Sequence, residues 1–209
     1  MTDRPNGTSN LLLNAMTAPD RERLFARMTR VDLHRGMELM KPGAPPGPLY
    51  FMEDGIASMV VGDGKNRVEV GIIGKEGAVG GGALLGQRRT RAESLIQVNG
   101  KSALKIGLDD MRAAFRESEG IRDVMLAFMQ CYTLQVSYAV MSGAQYSMEA
   151  RLARWLLMCH DRMKGDQIAL THDFMAQMIS AQRSGVTVTL HVLEGTGMIR
   201  SSRGARHHS

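Results

Sequence analysis

The chain has 209 residues, of which 44% are hydrophobic and 22% charged, and its formal net charge is +5. This length allows one large domain or two small ones, and the basic charge suits a nucleic-acid partner without requiring one. No run approaches the roughly 18 apolar residues of a membrane span, and the first ten residues lack the apolar core of a signal peptide. We therefore expect no membrane association and a cytoplasmic setting.

The first part of the chain predicts a flexible N-terminus followed by a β-rich domain. Residues 1–16 are polar and are expected to be flexible. In the domain of residues 17–120, Thr17 and Pro19 mark a capped helix that runs to about Met28. Short alternating runs separated by turn pairs such as Asp54-Gly55 and Asp63-Gly64 then predict strands. The runs are 49–52, 57–61, 68–73, 94–98 and 102–106. Their number and spacing indicate an antiparallel β-sandwich or roll.

Residues 121–146 predict a long dimerisation helix and a hinge, after a short helix at 109–116. Apolar or small residues recur at spacings of four and three, which is typical of a two-helix contact. This seam comprises Met125, Met129, Tyr132, Val136, Ala139 and Gly143, with Val140 beside it. A second apolar face includes Phe128 and Cys131. One face is expected to pack on the roll and the other on a second subunit, and burial within a monomer is the alternative.

The two cysteines, Cys131 and Cys159, lie in predicted helices among apolar neighbours. This setting favours buried structural thiols, with a redox switch as the alternative. No cysteine cluster could hold an iron–sulfur centre. No metal site is predicted, because the C-terminal His207-His208 pair lacks further ligands at suitable spacing.

Residues 147–209 predict a helix-turn-helix DNA-binding domain. Ser147 caps a helix over 148–162, and Thr171 caps a shorter one. After a polar break at 180–182, Val186, Leu190 and Leu193 recur at helical spacing. The opposite face carries side chains that can contact phosphates or base edges. The candidate DNA contacts are Thr171, His172, Gln182, Arg183, Ser184, Thr187, Val188, His191, Arg200 and Arg203. The alternation over 186–190 also fits a strand, but the preceding helix and turn favour a helix.

This order of elements resembles the Crp/Fnr superfamily of bacterial transcription regulators. Residues 36–58, with Gly36, Leu39 and Gly43 ahead of Leu49-Tyr50-Phe51, are similar to the family's roll signature. Residues 149–154 match the start of its post-hinge helix, and residues 170–199 align with its DNA-binding module. The resemblance implies an α+β fold: an N-terminal antiparallel β-roll like a cyclic-nucleotide-binding jelly roll, a long dimerisation helix and a C-terminal winged helix-turn-helix with a shortened wing.

The resemblance also implies roles for particular residues. Arg183, Ser184 and Val188 match the positions that reach base edges, and Thr171 and His172 match a backbone-contacting position. Ser180 replaces a glycine common in the family's turn. The implied protein is a homodimeric regulator that binds double-stranded DNA at a palindrome, with RNA polymerase as a further partner. The alternative is an effector-binding or protein-interaction module with an impaired DNA-binding domain.

The family's cyclic-nucleotide pocket is altered in this chain. The resemblance places Gly77-Ala78 where the family has a ribose-binding Gly-Glu pair, and Ala92-Glu93 where it has a phosphate-binding Arg-Ser/Thr pair. A carboxylate would then face the phosphate, and Arg91 would lie on the other face of the strand. We expect no cyclic AMP binding, no evident cofactor and an unidentified effector. The candidate pocket residues are Gly77, Ala78, Val79, Gly80, Arg91, Ala92, Glu93, Val136 and Ser137. An enzyme on a cupin-like roll is disfavoured, because His34 is the roll's only histidine.

Overall fold

A computed structural model describes residues 5, 7–64, 67–98, 100–163, 165–168 and 170–201. Two four-stranded antiparallel sheets form a roll, with strand orders β1-β8-β3-β6 and β2-β7-β4-β5. The strands are β1 (Met28–Asp32), β2 (Glu38–Met40), β3 (Leu49–Met52), β4 (Ile56–Val61), β5 (Val68–Ile73), β6 (Ala78–Val79), β7 (Glu93–Val98) and β8 (Ser102–Ile106). Alternate side chains of the strands point into the space between the sheets, where Met52, Ile96 and Ala103 are fully buried.

Seven α-helices in the described residues complete the fold. They are α1 (Leu11–Asn14), α2 (Ala18–Phe25), α3 (Leu108–Glu117), α4 (Glu119–Gln145), α5 (Met148–His160), α6 (His172–Met178) and α7 (Arg183–Gly195). Each of α2, α4, α5 and α6 begins at a Thr or Ser whose hydroxyl accepts a backbone N–H of the first turn. The expected β-roll, long helix and C-terminal helix-turn-helix are confirmed and follow one another along the chain, whereas the expected shortened wing lies outside the described residues.

The expected flexibility of residues 1–16 is wrong for the described part of that segment. Leu12 and Leu13 are buried in the roll's core. The side-chain amide of Asn10 is also buried and donates to the carbonyl oxygens of Met52 and Gly77, at 2.7 and 2.9 Å. Two buried leucines and a hydrogen-bonded amide therefore anchor α1, although the preceding residues are polar.

Three strands lack the alternation that identified the others. The predicted helix over 17–28 ends at Phe25, because Met28 begins β1 and pairs with Ile106. β2 and β6 contain only three and two residues. Strands this short carry almost no periodicity, so their place is set by pairing partners that are distant in the sequence.

The long helix α4 presents much of its apolar surface to the outside. Of the described helices it alone is long and apolar enough to cross a membrane by length and composition, which the sequence pattern did not predict. Only 6% of its most apolar window is buried within the chain. Length and composition do not separate a membrane span from a helix that pairs with another protein surface. The contacts of α4 distinguish the two.

Candidate nucleic-acid interface

The helix-turn-helix packs around an apolar core that also includes Ile56 and Ile72 of the roll. Val186, Leu190 and Leu193 of α7 pack with Met175 and Met178 of α6 and with Leu152, Trp155 and Cys159 of α5. The spacing of the α7 residues places them on one side of the helix. The helical interpretation of residues 186–190 is therefore confirmed over the strand, because the apolar set faces a neighbouring helix rather than a sheet.

The turn between α6 and α7 depends on Ser180. Its φ is +50°, which makes it the single non-glycine residue with positive φ in the described chain. The turn closes where the N–H of Ala181 donates to the carbonyl of Ala176 at 2.8 Å. Serine thus adopts a left-handed conformation that glycine would adopt without a Cβ penalty.

The side of α7 away from this core is open to solvent. Arg183, Ser184, Val188 and His191 are all exposed along it. Val192, which is not among the predicted DNA contacts, extends the same surface and is 48% exposed. Its β-branched side chain is typical of a core residue. Its helical position beside His191 and Val188, however, places it on the outer face, and this spacing was enough to predict it as a contact. This exposed side has the donors and apolar contacts needed to read base edges.

Two polar contacts orient the front of this surface. Arg183 Nε lies 3.4 Å from a carboxylate oxygen of Asp173, and both side chains are about two-thirds exposed. His172 Nδ1 lies 3.0 Å from the Thr187 hydroxyl, which also donates to the carbonyl of Arg183. His172 and Thr187 are half-buried, so they stabilise the packing of α6 on α7 in addition to any role toward DNA.

The N-terminus of α7 is free to receive an anion. Gln182 precedes the helix without capping it through its side chain, and the first turn contains no acidic residue. The first backbone N–H groups of α7 therefore remain available as hydrogen-bond donors, and the helix dipole favours a negative charge there. Thr171, by contrast, uses its hydroxyl to cap α6. Arg200 is exposed beyond α7, whereas Arg203 lies outside the described residues.

The DNA-binding domain is docked on the roll through α5 and α6. Glu69 of β5 accepts hydrogen bonds from Trp155 Nε1 and from the Ser58 hydroxyl, each at 2.6 Å. Burial raises the pKa of Glu69 to about 7, while Ser58, Trp155 and Arg162 act in the opposite direction. The Arg35 guanidinium also lies 5.4 Å from the centre of the Phe174 ring.

Neither of two cavities in the described part of the chain is lined by more than one of the residues predicted for an effector pocket. Gly77 faces the Phe128 ring, which lies 2.4 Å from where a Cβ at position 77 would be. Ala78 and Val79 are buried in the roll. Glu93 forms an ion pair with Arg67. Arg91 lines an open cleft with Arg88 and Arg89, whereas the neighbouring Ala92 packs on the roll's core. Gly80 has a left-handed φ. On α4, Val136 is half-buried and Ser137 is exposed.

Three residues of the dimer seam predicted on α4 face the roll instead of a second subunit. Met125 is fully buried in the core of the roll. Met129 lies against Gly81 and Tyr132 against Gly71, so both also face the roll. The helix buries Ile121 and Met125, half-buries Phe128, Tyr132 and Gln135 on the same side, and leaves Val140 exposed. Cys131 is likewise exposed, whereas Cys159 is buried as expected. The first part of the 4-3 spacing, at Met125, Met129 and Tyr132, therefore marks a face toward the roll.

Comparisons with known proteins agree with this fold. Residues 150–208 match the Crp-like helix-turn-helix domain family. Among solved structures, the c-di-GMP-responsive global regulator CLP of Xanthomonas campestris has a TM-score of 0.70 at 19% identity, covering 90% of this chain and 96% of its own. FixK2 of Bradyrhizobium japonicum has a TM-score of 0.72 at 15% identity, covering 86% and 90%. A CRP/FNR-family regulator of Thermus thermophilus has a TM-score of 0.67 at 19% identity, covering 84% and 90%. No curated protein sequence matches the chain.

A β-roll, a long helix and a helix-turn-helix with an exposed second helix form the architecture shared with these regulators. At these identities the solved structures establish the fold, and the matched domain establishes the type of helix-turn-helix. Residues 150–208 therefore form a Crp-like helix-turn-helix domain, and the chain as a whole has the fold of Crp/Fnr-family regulators.

Proposed function

We propose that the protein is a cytoplasmic homodimer that reads a palindromic DNA operator with α7 of each subunit. The observation that carries this proposal is the exposed side of α7, where Arg183, Ser184 and Val188 lie next to an uncapped helix N-terminus. Two such helices related by a two-fold axis would enter successive major grooves about 34 Å apart. RNA polymerase is a further proposed partner, and no enzymatic activity is proposed.

The proposed roles divide into base readout and backbone contact. Arg183 is suited to donate two hydrogen bonds to a guanine, and Val188 to contact a thymine methyl group. The N-terminus of α7, Thr171 and Arg200 are suited to phosphates, and such contacts position the protein without selecting a sequence. The present contact between Arg183 and Asp173 is exposed and would have to open for base readout, which a surface ion pair opposes only weakly.

The dimer is supported by the uncovered side of α4. Leu126, Leu134 and Val140 are 42%, 49% and 67% exposed there, and a second copy of α4 would cover them. Pairing through this helix leaves the roll contacts of Met125 and Tyr132 intact. The roll would then cover one apolar face of α4 and the second copy of α4 would cover the other.

Selection of DNA sites from a random pool tests the proposal. The expected result is a palindrome, with Arg183→Ala losing preference at one base position per half-site, worth about 1–3 kcal/mol. Arg200→Ala is the matched control: it should weaken binding to all sequences alike and reduce the salt dependence. Weak binding that is insensitive to salt, or unchanged preference in Arg183→Ala, would contradict the proposal and favour a module that does not act through DNA.

A further inference from the structure

A cavity of about 670 Å³ lies between the roll, α4 and the DNA-binding domain. Its walls come from α1, the end of β5, α4 and α5. The volume falls within the range of about 300–1,000 Å³ that is common for small-molecule sites. None of the nine residues that the resemblance implied for a nucleotide pocket lines it. The space beside Gly77, by contrast, is already filled by the Phe128 ring.

The walls of this cavity differ in chemistry. The α1 and α4 walls are mainly apolar, with Leu12, Val124 and Ala127 among their residues. The α5 wall carries two guanidinium groups, those of Arg154 and Arg162. A cavity that combines a long apolar wall with fixed positive charge suits an amphipathic anion better than a neutral or cationic compound.

The two arginines are not equivalent. Arg162 is neutralised by Glu76, with 2.7 Å between Nε and Oε1. Arg154 forms no ion pair with any described residue, although it is partly buried. Burial lowers the pKa of Arg154 and the positive charge of Arg162 lowers it further, against the opposite influence of Tyr146. A partly desolvated guanidinium without a counter-ion is stabilised by an anion that reaches it.

We propose that this cavity is the effector site and binds a long-chain carboxylic acid as its anion, with the carboxylate on Arg154 and the chain along the α1–α4 wall. The regulatory role of this site rests on the proposed function, whereas binding of the carboxylic acid to the cavity does not depend on it. The ligand would contact the roll, α4 and α5 at once, beside the Arg162–Glu76 pair that joins α5 to the turn after β5. Binding there would stabilise one arrangement of the DNA-binding domain relative to the roll.

Calorimetric titration of the full chain with decanoate tests the site, with decan-1-ol and decyltrimethylammonium as probes of the same chain length. One decanoate should bind per subunit, at least about tenfold tighter than the alcohol, since only the carboxylate forms a charge-assisted hydrogen bond with the guanidinium group. Arg154→Gln should remove that preference and leave binding of the alcohol unchanged. Arg116→Gln, which replaces an exposed arginine of α3 outside the cavity, is the matched control. Equal binding of the acid and the alcohol overturns the proposal.

Two further measurements locate the ligand. Cys131 lines the cavity and is exposed, whereas Cys159 is buried, so decanoate should slow the reaction of Cys131 with a thiol reagent. Ala15→Phe, which adds a ring at the α1 wall, should abolish decanoate binding without altering the circular dichroism spectrum. If decanoate instead competes with dimer formation, a second copy of the chain occupies this surface and the proposal is wrong. DNA binding measured without decanoate tests the proposed function separately.

Discussion

Glu69 Oε1 accepts a hydrogen bond from Trp155 Nε1 at 2.6 Å, and this bond joins β5 of the roll to α5 of the DNA-binding domain. The Ser58 hydroxyl donates to the other carboxylate oxygen. Arg162, Cys159 and Tyr132 are the titratable neighbours, and burial raises the pKa of the latter two. The contact between the two domains therefore contains a half-buried acid, and burial raises its pKa to about 7.

The docked arrangement should be more stable at pH 5 than at pH 8. Burial raises the pKa of Glu69 from about 4.5 to about 7. The folded state then binds more protons than the unfolded state between these values, so this group's contribution to the free energy of unfolding falls as the pH rises through that window. Glu69→Gln should remove the fall. Trp155 is the only tryptophan, so its fluorescence in urea titrations at the two pH values reports the change directly. An identical pH dependence in wild type and variant would contradict the prediction.

Much of the architecture could be predicted because it is encoded locally. Caps at Thr17, Ser147 and Thr171 and the 3.6-residue spacing along α5 and α7 are short-range signals, and the structure follows them. β6 has two residues and is held by pairing with Tyr50 and Phe51. No local pattern marks such a strand, because its hydrogen bonds go to partners far away in the sequence.

The cavity and the contact between domains could not be predicted for a related reason. Arg154 and Leu12 are 142 positions apart, yet both line the same cavity. Glu69 and Trp155 likewise meet across 86 positions. On α4, one helix has apolar residues around most of its circumference, so spacing alone could not decide which of them face the roll.

Ser180→Gly should stabilise the DNA-binding domain by up to about 1 kcal/mol. Ser180 has a φ of +50°, a conformation that costs an L-residue roughly 1–2 kcal/mol, and the greater entropy of an unfolded glycine offsets part of the gain. Ser180→Asn should be close to neutral, because asparagine tolerates this region, and Ser180→Val should be destabilising. Thermal unfolding followed by circular dichroism measures all three. The ranking Gly, Asn, Val is the test, and stabilisation by valine would refute it.

Gly77→Ala should destabilise the protein by about 1–3 kcal/mol, as expected for overpacking. A Cβ at this position would lie 2.4 Å from the Phe128 ring and 2.9 Å from Ile73. Phe128→Leu in the same chain should recover part of the loss, since the shorter side chain leaves room for the methyl group. Gly47→Ala, where a Cβ would meet no atom within 4 Å, is the control and should change the free energy of unfolding little. Urea unfolding of the wild type, the two single variants and the double variant completes a double-mutant cycle, in which additive effects would contradict the contact.

Leu134→Asp should dissociate the dimer while leaving each subunit folded. Leu134 is 49% exposed on α4, away from the residues that face the roll, so a charge there is harmless in a monomer but would be buried without a partner between two helices. Sedimentation velocity over a range of concentrations measures the dissociation. Leu85→Asp is the matched control, because Leu85 is 56% exposed on the roll. Loss of the dimer should also weaken binding to a palindrome far more than to a half-site, since the second α7 would no longer be held in place. A Leu134→Asp protein that sediments as wild type would show that another surface pairs the subunits.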